Sequence, residues 1–163
     1  MKKAAVIMGS MSDLKQVQPC LDLLKELEIP FEAHVYSAHR TPAAAAEFAA
    51  NAKNNGFGVI IAAAGKAAHL AGAMAAGTCL PVIGIPIKAS ALEGLDALLS
   101  TVQMPKGIPV ATVAIDGAYN AGMLAAQMLA LGDDRLAERL TAMRAQMEAD
   151  VLKKDQELQD AIR

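Results

Sequence analysis

Three short segments of this 163-residue chain combine small residues with groups that can donate, accept or carry charge. They are Gly9-Ser10-Met11-Ser12-Asp13, Ser37-Ala38-His39-Arg40-Thr41-Pro42 and Ala64-Gly65-Lys66-Ala67-Ala68-His69-Leu70. Their small residues let backbone approach a bound molecule. Each precedes a segment of helical pattern, and the amides that open a helix favour an anion. Binding of a small anionic ligand is therefore the chemistry within reach.

Each segment also has a plainer reading. Ser10, Ser12 and Asp13 can simply cap the helix that follows. His39-Arg40 can be a solvated loop pair, His69 a satisfied histidine on an Ala-rich helix, and Lys66 a surface charge; His34 reads as structural. Other site chemistries fail on the residues. A phosphate-binding P-loop would need glycine where the chain has Ile60, and Ser or Thr where it has Ala67. There is no G-x-G-x-x-G after the first apolar run, no G-x-S-x-G and no H-E-x-x-H, so a zinc or other metal site is not expected.

The elements that must position these segments alternate. Apolar runs at Ala4–Met8, Phe31–Ser37, Val59–Ala64, Val82–Pro86 and Val110–Ile115 read as strands. Helical periodicity falls between them, at Leu14–Leu27, from Thr41-Pro42 to near Asn54, and at Ala67–Ala76, Leu92–Gln103 and Asn120–Leu131. Alternation of this kind predicts an α/β fold, three layers α/β/α around a central parallel sheet of flavodoxin-like or Rossmann-like type. In such a sheet ligands bind at the carboxyl ends of the strands, where all three segments lie. No linker or repeat intervenes, and 1–163 reads as a single catalytic domain. A last helix over 134–162 carries a stripe of Leu136, Leu140, Met143, Met147, Val151, Leu158 and Ile162. At ~1.5 Å per residue it runs ~44 Å, longer than the ~40 Å diameter of a compact chain this size. The helix must kink or reach another subunit, and the second is the expectation.

Composition narrows the partners. Fifteen Lys+Arg against seventeen Asp+Glu give a net charge of −2, and aromatics make up 3% of residues. Neither a basic patch nor a stacking platform for nucleic acid is present. No apolar run approaches the ~20 residues of a membrane helix. Cys20 and Cys79 are too few for a disulfide framework, and a cytoplasmic setting is expected.

Five motifs in order carry a resemblance over roughly residues 3–131. They are Val6-Ile7-Met8-Gly9-Ser10-x-Ser12-Asp13, Ser37-Ala38-His39-Arg40-Thr41-Pro42 and Ala67-Ala68-His69-Leu70, then Leu80-Pro81-Val82-Ile83-Gly84 and Val102-Gln103-Met104-Pro105-x-Gly107-Ile108-Pro109-Val110-Ala111-Thr112. Together they resemble the N5-carboxyaminoimidazole ribonucleotide mutases of purine biosynthesis, the class I phosphoribosylaminoimidazole carboxylase catalytic subunit family. The resemblance implies a homo-octamer, a ribonucleotide substrate and a carboxylate shift from the exocyclic nitrogen to C4 of the imidazole. No cofactor is expected for that step.

By the same resemblance, Ser10 and Asp13 hold the ribonucleotide, Arg40 pairs with the 5′-phosphate, Ser37 and Ser12 assist, and His39 is the general acid–base. His69 and the small residues around it wall the pocket for CO2, and Ala64, Gly65, Lys66 and Leu70 join the substrate-binding residues. Two departures stand out: Lys66 where the family usually has glycine, and Ala71 where it has proline. A related class carboxylates aminoimidazole ribonucleotide directly with CO2, and its loop carries a cation where this chain has Lys66. That class is the nearer alternative, and a non-catalytic flavodoxin-like binding module the more distant one.

Overall fold

Five strands, β1 (Lys3–Met8), β2 (Phe31–Val35), β3 (Phe57–Gly65), β4 (Val82–Ile87) and β5 (Ala111–Thr112), pair in parallel in the order β2-β1-β3-β4-β5. The computed structural model describes residues 1–163. Between and after the strands run α1 (Leu14–Glu26), α2 (Pro42–Asn51), α3 (Leu70–Ala76), α4 (Leu95–Val102), α5 (Ala118–Ala130) and α6 (Asp134–Ala161). The three-layer α/β arrangement read from the sequence is the one observed.

The central strands are apolar without alternation because both of their faces are covered. Val6, Val59, Ile61, Ile83 and Ile85 face one way, into a core closed by α1, α5 and Leu136 of α6. Ala5, Ile7, Ile60, Ala62 and Val82 face the other way, against α2 and α3. Each buried isoleucine contributes about 1.5–3 kcal/mol. The second face is lined by smaller residues, so its helices lie closer. At Gly84 a Cβ would stand 2.3 Å from Thr101 Cγ2 and 2.9 Å from Val110 Cγ1, and the close seat of α4 on β4 requires glycine there. The strand at the β2 edge carries exposed Glu32, paired with Lys3, a charged border that discourages pairing with another sheet.

Several boundaries differ from the sequence reading, and four elements show why. The second strand stops at Val35 instead of Ser37. There Ser37 N–H donates to Thr41 Oγ1 at 2.8 Å and the loop turns early. The fifth strand keeps only Ala111–Thr112, because Asp116, at φ +55°, folds Ala114–Ala118 into a tight turn. The third helix starts at Leu70, not Ala67: Lys66 has φ +56°, His69 N–H donates to Ala67 O, and His69 sits at the N-cap. His69 is thus a loop residue at the helix entrance. The fourth helix proper begins at Leu95, after a short turn in which Leu92, Glu93 and Gly94 all have positive φ.

The last helix runs uninterrupted from Asp134, capped by the Asp133 carboxylate accepting from Leu136 N–H at 3.1 Å. Leu136 is buried, and Leu140 and Met143 pack on the core. Every residue from Arg144 to Arg163 is exposed, so the apolar stripe leaves its own chain.

Replacing Gly84 by alanine should destabilise the fold by about 1–3 kcal/mol through overpacking. Urea denaturation of Gly84→Ala measures this, and an unchanged midpoint would show that α4 lifts away freely.

Candidate active site

The strand order places the change of winding between β1 and β3: α1 leaves β1 toward one face, and α3 leaves β3 toward the other. A crevice opens at that point in folds of this kind. Here it is a cleft of about 610 Å³. All eleven residues singled out from the sequence line it: Ser10, Ser12 and Asp13 from the β1 end, Ser37, His39 and Arg40 from the β2 end, and Ala64, Gly65, Lys66, His69 and Leu70 from the β3 end.

The first loop is knitted by its own hydroxyls. Ser12 Oγ donates to Ser10 Oγ at 2.9 Å, and Ser10 Oγ accepts from Ser12 N–H at 3.3 Å. Ser10 therefore caps the short turn Met11–Asp13, whereas Asp13 caps nothing. Its carboxylate stays in the cleft with Ser12 Oγ 3.4 Å away. Partial burial pushes the Asp13 carboxyl above the usual carboxylate range; the Ser12 hydroxyl, the Ser10 backbone and the Arg40 charge oppose that push without cancelling it.

The second loop is tied to the first. The guanidinium of Arg40 donates to Gly9 O at 3.0 Å and lies near Ser37 Oγ, while Arg40 N–H donates to the same hydroxyl at 3.2 Å. The Thr41 hydroxyl binds Ser37 at both backbone groups instead of capping α2. Arg40 is consequently anchored on one edge, with the rest of its planar fork free for an anion.

His39 joins the second loop to the third. Its Nε2 lies 2.7 Å from Nδ1 of His69, with the two rings perpendicular and 4.9 Å apart. A contact this short has room for one proton between the facing nitrogens. His34, by contrast, stacks on Tyr36 and touches Phe48, away from the cleft. Lys66 is exposed and makes no ion pair.

Further lining comes from Gln16, Ile87, Lys88 and Ala89, none of which the sequence reading named. Gln16 lies one helical turn beyond Asp13, a spacing that could have flagged it. Ile87–Ala89 follow β4, whose place beside β3 is a fact of strand order that no local pattern reports. No three His, Cys, Asp or Glu side chains converge in a metal-holding group. Burial pushes the Cys20 thiol up to about 12, leaving it inert inside the core.

A family model described as AIR carboxylase matches residues 3–150. The chain belongs to the AIR carboxylase family. Curated family members include proteins named N5-carboxyaminoimidazole ribonucleotide mutase from Haemophilus influenzae, 57% identical over 86% of this chain and 87% of that one. The one from Thermotoga maritima is 48% identical over 98% and 93%, and that from Bacillus subtilis 50% identical over 94% and 96%. Among solved structures, Treponema denticola PurE superposes with a TM-score of 0.85 over 95% of this chain and 97% of its own. At 24% identity that likeness speaks to the fold. No helix of this AIR carboxylase family member is long and apolar enough to cross a membrane.

The partly buried Asp13 carboxyl costs stability at neutral pH. With its folded pKa raised above the ordinary 3.8, the folded state binds the proton more tightly than the unfolded state does. The resulting stability is full below about pH 3.8 and is lost as pH rises through the folded value. Asp13→Asn should therefore stabilise the fold at pH 7 by under about 1 kcal/mol, the group being half-exposed and screened, and raise the thermal midpoint accordingly. The gain should vanish below pH 4. Differential scanning calorimetry across that range checks both the sign and the window.

Proposed function

We propose that this protein is an N5-carboxyaminoimidazole ribonucleotide mutase, moving a carboxylate from the exocyclic nitrogen of the substrate to C4 of its imidazole ring. The observation that carries the reading is the His39–His69 contact at 2.7 Å, in the same cleft as Arg40 and Asp13, in a chain whose relatives bear that name.

The residues fit the two ends of such a substrate. Arg40, with Ser37 beside it, takes the 5′-phosphate, because a guanidinium offers paired donors to phosphate oxygens. Asp13, Ser10 and Ser12 take the ribose hydroxyls, for which a carboxylate is an acceptor. His39, His69, Ala64, Gly65 and Leu70 surround the imidazole end.

Proton balance suits the histidine pair. The nitrogen–carbon bond breaks, CO2 departs, and the nitrogen gains a proton from His39. The electron-rich C4 then attacks the trapped CO2, a new carbon–carbon bond forms, and C4 gives its proton back to His39. Protons are neither consumed nor released, and holding CO2 beside the ring supplies the high effective concentration that recapture needs. His69, facing His39 at Nε2, fixes the ring and accepts only one proton into the shared contact.

The protein would act in the cytoplasm as one catalytic domain over 1–163, assembled as a homo-octamer. The exposed stripe of Met147, Val151, Leu158 and Ile162 supports assembly, as does the exposed row of Leu95, Leu99 and Val102 along α4, with Leu92 in the turn before it.

Purified protein should convert the carboxyamino nucleotide without added bicarbonate, and His39→Asn should lower turnover by about 10²–10⁴-fold while nucleotide binding persists. Turnover only of the uncarboxylated ribonucleotide with bicarbonate would make it the direct carboxylase. Binding of phosphate-bearing ligands without turnover would make it a binding module. Removal of residues 150–163 should shift sedimentation toward smaller species while the urea midpoint of the core is kept; an unchanged oligomer would mean that the tail serves no contact.

A further inference from the structure

Lys66 stands in a backbone conformation that residues with a Cβ rarely adopt. Its φ of +56° lies in the left-handed region, where the side chain crowds the neighbouring carbonyl. The preceding position is locked as well, since a Cβ at Gly65 would come within 3.1 Å of Ile87 O. The strand end therefore lies hard against β4, and the turn that follows must fall on residue 66. Disfavoured conformations of this type collect at sites where the side chain is used.

The surrounding charges point to the use. Three cations line the cleft. Lys88 is paired with Glu93, and Arg40 is engaged with Gly9 O and Ser37. Lys66 has neither an ion pair nor a side-chain hydrogen bond, so its ammonium is left for a ligand, as is the open side of the Arg40 fork. The two come from different loops: Arg40 reaches over the end of β1 from the β2 side, whereas Lys66 follows the end of β3, which pairs with β4. His69 of the histidine pair stands three residues beyond Lys66. A ligand with its phosphate at Arg40 and its reacting atoms at His39 has Lys66 as the remaining unpaired cation of the cleft for a second anionic group.

We propose that Lys66 is a specificity-determining residue that binds the carboxylate of the substrate and of the product, a role resting on the reading under Proposed function. A cation that meets a carboxylate before and after the shift stabilises both ground states. It strengthens binding without lowering the barrier between them. Lys66 thus acts on KM and leaves kcat unchanged.

The test uses two nucleotides that differ only in that group: 4-carboxy-5-aminoimidazole ribonucleotide and 5-aminoimidazole ribonucleotide. Calorimetric titration of Lys66→Met should weaken the carboxylated nucleotide about tenfold and leave the uncarboxylated one unchanged. That loss should shrink as salt rises. Turnover of the carboxyamino substrate should show a raised KM with kcat kept, and Lys66→Arg should restore most of the KM. Lys66→Gly relieves the left-handed turn and should match Lys66→Met in binding while its thermal midpoint stays at or above that of the wild type, separating binding from folding. Equal weakening of both nucleotides would place the ammonium on the phosphate and overturn the assignment. Unchanged binding of both would overturn it too. Wild-type protein that binds neither nucleotide would overturn the mutase reading, and the role of Lys66 with it.

Discussion

Loops at the ends of a parallel sheet can diverge and leave a hollow only where the winding reverses, and that constraint organises this molecule. From β1 the chain goes to an edge, returns past β1 to β3, and then continues outward through β4 to β5. The helices after β1 and β3 consequently take opposite faces, and the two loops draw apart. The loop after β2 then bends inward, where Arg40 reaches Gly9 O and His39 meets His69. Residues 30 positions apart come within one hydrogen bond because of the order of strands. The small residues on one face, ending in Gly84, let α3 and α4 sit low enough for this to happen without disturbing the sheet.

The site is held at some expense to the fold. A partly buried carboxylate at Asp13 and a left-handed lysine are each less favourable than simpler choices at the same positions. Neither lies in the cores, where Val6, Ile61, Ile83 and their neighbours are apolar and fully covered. Stability is gathered in the cores and given up at the strand ends, the division expected where a rigid sheet presents reactive loops.

Much of this is legible in the residues. Uniformly apolar β3 and β4 announce a sheet covered on both faces, and small residues mixed with charge mark the three loops. What the sequence hides is non-local. Ala67–His69 have a helical composition, and only the left-handed Lys66 and the bond from His69 N–H to Ala67 O keep them out of α3. The fifth strand is apolar through Ile115, yet Asp116 turns the chain before the ladder can use it. Thr41 looks like a helix cap and serves the preceding loop. In the cleft, Ile87–Ala89 escape notice because their neighbour is set by strand order, while Gln16 was within reach of a helical-spacing argument from Asp13.

The outer half of α6 has a consequence for the life of the chain. From Arg144 to Ala161 its residues are exposed, and most helical stability in proteins comes from packing of an apolar face, which this half lacks. In a newly made, solitary chain this segment will fray between coil and helix and present Val151, Leu152 and Leu158 to proteases and chaperones. In the proposed assembly that segment would be covered, so a chain would carry an unfinished helix only while it lacked neighbours, its cleft and sheet being intact throughout.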